Sequence, residues 1–344
     1  MRKANAGLLK MIPQLKKTYS FWCYVISIAL SSSLLLLAQG TVSAKEKQQL
    51  FVFYDSSDVA SSELLKHLVS ELEQKVNSYQ ILPLNLHKSP LNELSSLTES
   101  SPDNCIITIG YDALKKIAST RNNIPIFSTQ VPKHALDKTI QNYQRLGSKI
   151  GGIYQEQSFN RQLLLAKALD HEIKGALLLL NRQTRYQLEE YKNIALANSF
   201  KLKFNLLSAQ ASSPAYFLKD SATSDVLILI NELVHHKIQD LQSFLITSYN
   251  KQVPIIGNKK TDSIHAAIAS IYTPLDALTK EVSKQISGFC QTNESRVAQF
   301  SEGFQVEINQ QIADHLNYKN INKQKLLMDI HLLEKQQQEM LNNG

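Results

Sequence analysis

Cysteine is scarce in this chain: there are three in 344 residues, with no CxxC pair and no Cys/His spacing suited to zinc. That removes a dithiol redox centre and a structural metal module. The local signatures of common enzymes are also missing. There is no GxSxG elbow for a nucleophilic serine and no Walker A loop for a nucleoside triphosphate. "LGSKIGG" (146–152) does not keep the GxGxxG spacing of a dinucleotide turn. His235 and His236 are adjacent, so on a helix they point about 100° apart and cannot share a metal. The acidic residues, Asp225 among them, are scattered and supply no acid/base pair. The expectation is a non-enzymatic protein with no catalytic residues, no metal site and no cofactor.

A surplus of one charge is missing too, once the first segment is set aside. Arg2, Lys3, Lys10, Lys16 and Lys17 precede the apolar run "FWCYVISIALSSSLLLLA" (21–38), and "TVSA" offers small residues for cleavage after Ala44. Residues 1–44 therefore read as a cleaved signal peptide and the body as periplasmic. The run is also just long enough to span a bilayer as an uncleaved anchor. Five of the 37 basic residues and none of the 30 acidic ones lie in those 44 positions, which leaves 32 against 30 in the mature chain. The overall +7 belongs mostly to the leader. No basic face interleaved with aromatic residues appears in the body, and "GNKK" (257–260) is only a pair, so no nucleic-acid partner is expected.

What is present is ample apolar material in a regular order. At 43% hydrophobic the chain can bury a sizeable core, and its length suits two lobes. Strand-like runs apolar on both faces ("QQLFVFYD", "YQILPLNL", "CIITIG", "NIPIFSTQV") are separated by helical periodicities over 61–75 and 111–119. The pattern restarts with "KIGGIYQ" and runs through "GALLLLN", "KLKFNLLS", "DVLILIN" and "VPIIGN". Two α/β units in tandem follow, each a parallel sheet covered on both sides. The glycines of "LGSKIGG" mark the expected boundary, because glycine tolerates the backbone angles of a crossing. The terminal helical run "KQKLLMDIHLLEKQQQEML" reads either as a partner-binding or coiled-coil segment or as a helix packed through its leucines. Cys105 opens a predicted strand and Cys290 closes a predicted helix, and both a disulfide and two free buried thiols stay open.

In an open α/β sheet, ligands bind beyond the carboxyl ends of the strands. The predicted strands deliver Tyr54, Asp55 and Ser56; Gly110 and Tyr111; and Ser128 and Thr129 in the first half. The second half delivers Tyr154 and Gln155; Asn181 and Arg182; Asn231 and Glu232; and Asn258. Rings to stack and amides to orient suit a small-molecule cleft. The competing reading is that Asp55 and its like simply cap helices and that the tyrosines are half-buried core.

The order of "DNCIITIG", "IPIF", "KIGGIY", "KGALLLLN", "DVLILIN", "VPIIG" and "VEINQQIADHL" resembles the ABC-transporter substrate-binding family whose better-known members take up tryptophan or tyrosine. The resemblance implies the type I periplasmic binding-protein fold: two Rossmann-like lobes with parallel sheets, joined by a hinge that the chain crosses several times. It assigns residues 48–149 with 263–292 to lobe one, residues 150–262 with 293–327 to lobe two, and 328–344 to a helical tail. It implies a monomer that binds a small-molecule ligand and delivers it to an ABC transporter permease, or alternatively a periplasmic sensory module held by its N-terminal helix. The chain departs from the family at Tyr111, where a small hydroxyl residue is usual, and at "TQVPKHAL", which replaces an Asp-Pro element. The ligand therefore stays open.

Overall fold

The computed structural model describes residues 48–76, 78–88, 104–120, 124–144, 149–180, 184–206, 224–230, 246, 248–265, 267–291 and 298–343. Among them no helix is long and apolar enough to cross a membrane; the leader and its cleavage point lie outside the described residues.

The first half follows the alternation in the sequence. In chain order it contains β1 (Gln48–Tyr54), α1 (Val59–Lys75), β2 (Tyr79–Asn85), β3 (Cys105–Ile109), α2 (Tyr111–Ala118), β4 (Ile126–Val131), α3 (Lys133–Gln144) and β5 (Ile150–Tyr154). The strands form one parallel sheet in the order β2-β1-β3-β4-β5. The second half contains α4 (Phe159–Leu169), β6 (Gly175–Leu180), α5 (Leu188–Ala197, after a 3₁₀ turn at Arg185–Gln187), β7 (Lys201–Leu206), β8 (Val226–Ile228), β9 (Ile255–Gly257), α6 (Lys260–His265), β10 (Ala269–Tyr272), α7 (Leu275–Gln291), β11 (Gln305–Ile308), α8 (Gln310–His315) and α9 (Lys323–Asn343). Its sheet runs β11-β10-β9-β8-β6-β7, parallel except where β11 meets β10.

Period-two alternation along β1 divides the first core. Phe51 and Phe53 pack with Leu114 and Ile117 of α2 and with Leu136 of α3. Leu50 and Val52 face the other way, onto Leu64, Leu68 and Leu72 of α1 and onto Val282, Ile286 and Phe289 of α7. Each such side chain contributes roughly 1.5–3 kcal/mol by leaving water. Thus α7, although late in the chain, completes the first lobe. Cys105 and Cys290 are joined in a disulfide with Cα atoms 5.7 Å apart, pinning the end of α7 to the start of β3.

Two expected boundaries are corrected. The restart at Ile150 is not yet the second lobe, because β5 pairs with β4 and closes the first sheet. Segment 263–272 is not in the first lobe, because β10 pairs with β9 and β11 in the second sheet. The chain crosses at residues 155–158, at residues 273–274, and again after Gln299. That last residue lies beside β5, donating its N–H to the Gly152 carbonyl at 3.0 Å and accepting the Tyr154 N–H at 2.9 Å. The glycines of "KIGG" serve the sheet and not a crossing. Where β4 bulges between Ser128 and Val131, a Cβ on Gly152 (φ 151°) would stand 1.9 Å from the Ser128 carbonyl oxygen.

The start of the expected tail is corrected from 328 to Lys323, while its reading as a helix packed through its leucines holds. Helix α9 starts at Lys323 and buries Leu326 and Ile330 in the second core. Asn160, Gln337 and Asn198 close a ring of three carboxamide hydrogen bonds of 2.6–3.0 Å around it.

Candidate functional site

The carboxyl edge of the first sheet lines a cleft that Tyr186 of the second half also borders. This cleft of about 1040 Å³ is lined by Asp58 beyond β1, Gly110 and Tyr111 beyond β3, Gln130 at the end of β4, Gln155 beyond β5, and Tyr186, which follows β6 of the second sheet. One wall is α3, through His134, Ala135, Lys138, Gln141 and Asn142. Tyr111 and Tyr186 are 43% and 57% exposed, so aromatic surface from each borders the cleft.

Local chemistry explains this shape. Gly110 takes the N-cap of α2 at φ 87°, a left-handed angle that glycine adopts without steric cost, and no side-chain oxygen caps that helix. Gln130 has φ 55° within the β4 bulge, a strained position for a residue with a Cβ and one that lies on the cleft surface. Asp58 caps α1 by accepting the N–H groups of Ala60 and Ser61 at 3.2 Å.

Of the residues nominated from sequence, Gly110, Tyr111 and Gln155 line the cleft. Asn258 lines a separate cavity of about 20 Å³ with Gln157, Gln162 and Glu190. Asn181, Arg182, Asn231 and Glu232 lie outside the described residues. The others are placed elsewhere. Ser128 and Thr129 are wholly buried within β4, with the Thr108 hydroxyl donating to Ser128 Oγ at 3.0 Å. Tyr54 packs on the core beneath α1. Asp55 accepts both the N–H (2.7 Å) and the hydroxyl (2.6 Å) of Ser57 and meets His87 Nε2 at 3.0 Å, with Ser56 exposed in the same turn. The Ser57 hydroxyl, then the Ser57 amide, hold the Asp55 carboxyl below its ordinary range.

Tyr154 is buried, and its hydroxyl donates to Asp137 Oδ1 at 2.7 Å. Burial first, then the Asp137 hydrogen bond and the charges of Asp137, Glu190 and Glu156, push the phenol well above its usual range. Beside it, Lys133 Nζ lies 2.7 Å from Asp137 and 3.1 Å from Glu190 of the second lobe. Burial alone would lower the Lys133 ammonium, but Asp137 and then Glu190 outweigh it and raise its pKa.

The three crossings are tied together by one buried amide. Gln157 Nε2 donates to Thr273 Oγ1 at 2.6 Å and to the Gly303 carbonyl at 3.1 Å, so residues of all three segments meet on it. Arg161 donates to Gln157 Oε1 (2.7 Å) and to the Ser301 carbonyl (2.6 Å), and pairs with Glu334 of α9 at 2.6 Å. Two predominantly parallel sheets, linked by three crossings whose residues meet on Gln157, decide the architecture. The fold is that of the type I periplasmic binding proteins.

Comparison with solved structures agrees. A ligand-free, open substrate binding protein with adhesive properties from Clostridium difficile matches with TM-score 0.60 at 13% identity, over 81% of this chain and 97% of that one. A conserved domain protein from Vibrio cholerae matches with TM-score 0.54 at 16% identity, over 82% and 98%. An ABC domain in complex with L-Trp from Streptococcus pneumonia matches with TM-score 0.52 at 15% identity, over 79% and 95%. The first of these is described as a substrate binding protein and the third was solved with L-Trp bound. No known protein-family profile matches the chain. No curated protein matches it either.

Proposed function

We propose that this is an extracytoplasmic solute-binding protein that captures a small molecule between its lobes and delivers it to an ABC transporter. The observation that carries the reading is the cleft itself: the carboxyl edge of the first sheet and Tyr186 from the second line one solvent-open space. A solute touching both lobes biases the hinge towards closure by its differential contacts with the two forms. Tyr111 and Tyr186 offer stacking surfaces from opposite lobes, and Gln130 and Gln155 offer amides to orient polar groups. Reading residues 1–44 as a leader gives a periplasmic location, and the Cys105–Cys290 disulfide is in keeping with such an oxidising compartment.

A thermal-shift screen of the mature protein against amino acids, nucleosides, sugars and vitamins tests the reading, because a solute bound to the native state raises the melting temperature. For whichever compound scores, Tyr111→Ala and Tyr186→Ala each weaken binding by about tenfold while the solute-free melting temperature stays near that of the parent. Conversion of the compound to a product, or unchanged affinity in both variants, argues for a different role.

A further inference from the structure

The two lobes also touch through groups of their own. Lys133, at the start of α3, reaches Glu190 in the first turn of α5 at 3.1 Å, and the Tyr186 hydroxyl donates to the His134 carbonyl at 3.0 Å. The first-lobe half of this contact is built in advance. Tyr154 holds Asp137 at 2.7 Å, Asp137 holds Lys133 at 2.7 Å, and Glu156 Oε1 accepts the Lys133 backbone N–H at 2.9 Å. The Lys133 side chain is only 16% exposed, whereas that of Glu190 is 41% exposed.

That asymmetry matters when the lobes part. Lys133 keeps Asp137 as its counter-ion, so no buried charge is stranded, and Glu190 returns to water. The cross-lobe bond therefore breaks and re-forms at little cost to either side. We propose that Lys133–Glu190 is an interlobe latch, which in the solute-free protein favours the arrangement with the lobes in contact over one with the lobes parted, and so tunes the affinity for any solute held between the lobes. Apparent affinity scales with the fraction of molecules already in the binding-competent form. A partly exposed ion pair changes such a ratio by about two- to fivefold, and salt weakens it. The inference rests on the hinge reading above but concerns the empty protein, so no ligand is needed to test it.

The experiment uses mature protein with its native disulfide and spin labels at Glu73→Cys on α1 and Lys325→Cys on α9, one exposed site in each lobe. Distance distributions are recorded by double electron–electron resonance without solute, at about 0.1 M and about 1 M salt. The latch predicts a short and a long population. Glu190→Gln lowers the ratio of short to long by about two- to fivefold, and Glu190→Lys lowers it further. High salt lowers the ratio in the parent and leaves Glu190→Gln unmoved. Two populations indifferent to both variants and to salt overturn the latch while leaving the hinge intact. A single population under every condition overturns both.

Discussion

Gly152 shows how one missing Cβ organises a sheet. The bulge in β4 brings the Ser128 carbonyl so close that only glycine fits opposite it, and the same bulge turns Gln130 towards the cleft. Gly152→Ala is expected to lower stability by about 3 kcal/mol or more, since the atom it meets is backbone and cannot swing aside. Thermal unfolding of the variant checks this. From sequence the glycine pair was legible as special, but its reason was not: a close approach depends on which strand lies alongside, and local composition does not specify that.

Tyr154 and Lys133 give a second prediction at this scale. Their unfolded pKa values are near 10.0 and 10.5, and both are raised in the folded state. The native protein thus retains protons that the unfolded chain releases at high pH. Their stabilising contribution is full below pH 10 and is lost as pH rises beyond it. Tyr154→Phe, which removes the hydrogen bond to Asp137, is expected to cost about 1 kcal/mol at neutral pH. It also flattens the alkaline decline, measured as melting temperature against pH.

At the level of elements, the strands were the clearest feature, because apolar runs of four to seven residues bounded by polar turns have few alternatives. Helix α3 was absent from the sequence reading, although it forms a wall of the cleft. Its signal is the spacing of Ala135, Leu136, Ile140 and Tyr143 behind Pro132, residues that pack on the first core. The strand "NIPIFSTQV" was read with its end at Val131, as observed, but Ser128 and Thr129 were counted at its tip although both lie inside the sheet. A hydroxyl placed two residues before the end of a central strand is still in the core.

The disulfide between β3 and α7 ties together elements separated by 185 residues. Replacing both Cys105 and Cys290 by alanine is expected to cost about 2–5 kcal/mol, seen in denaturant unfolding of the oxidised parent against the variant. Reductant destabilises the parent by a similar amount and leaves the variant unchanged. Its pairing was not readable beforehand, since it requires knowing that α7 returns to the first lobe.

For the molecule as a whole, the two-sheet architecture was legible, because an alternation of doubly apolar strands and amphipathic helices admits few topologies. Exact crossing points were less so. They depend on hydrogen-bond pairing between distant segments, such as Gln299 with β5. The second-lobe contribution to the site was seen from sequence only as strand tips; Tyr186 was missed because it sits in a 3₁₀ turn beyond the tip of β6. At this scale, small-angle scattering of the mature protein is expected to show a smaller radius of gyration with a bound solute than without, as the lobes draw together.

The interleaving of the lobes has a bearing on biosynthesis. Since α7 and Gln299 complete the first lobe, a growing polypeptide cannot finish its first globular unit until almost 300 residues have been made. Early translation products lack α7, one of the two helices that cover Leu50 and Val52 on one face of β1. Such a nascent chain is slow to become a stable object, the condition in which it can still be threaded through a narrow pore.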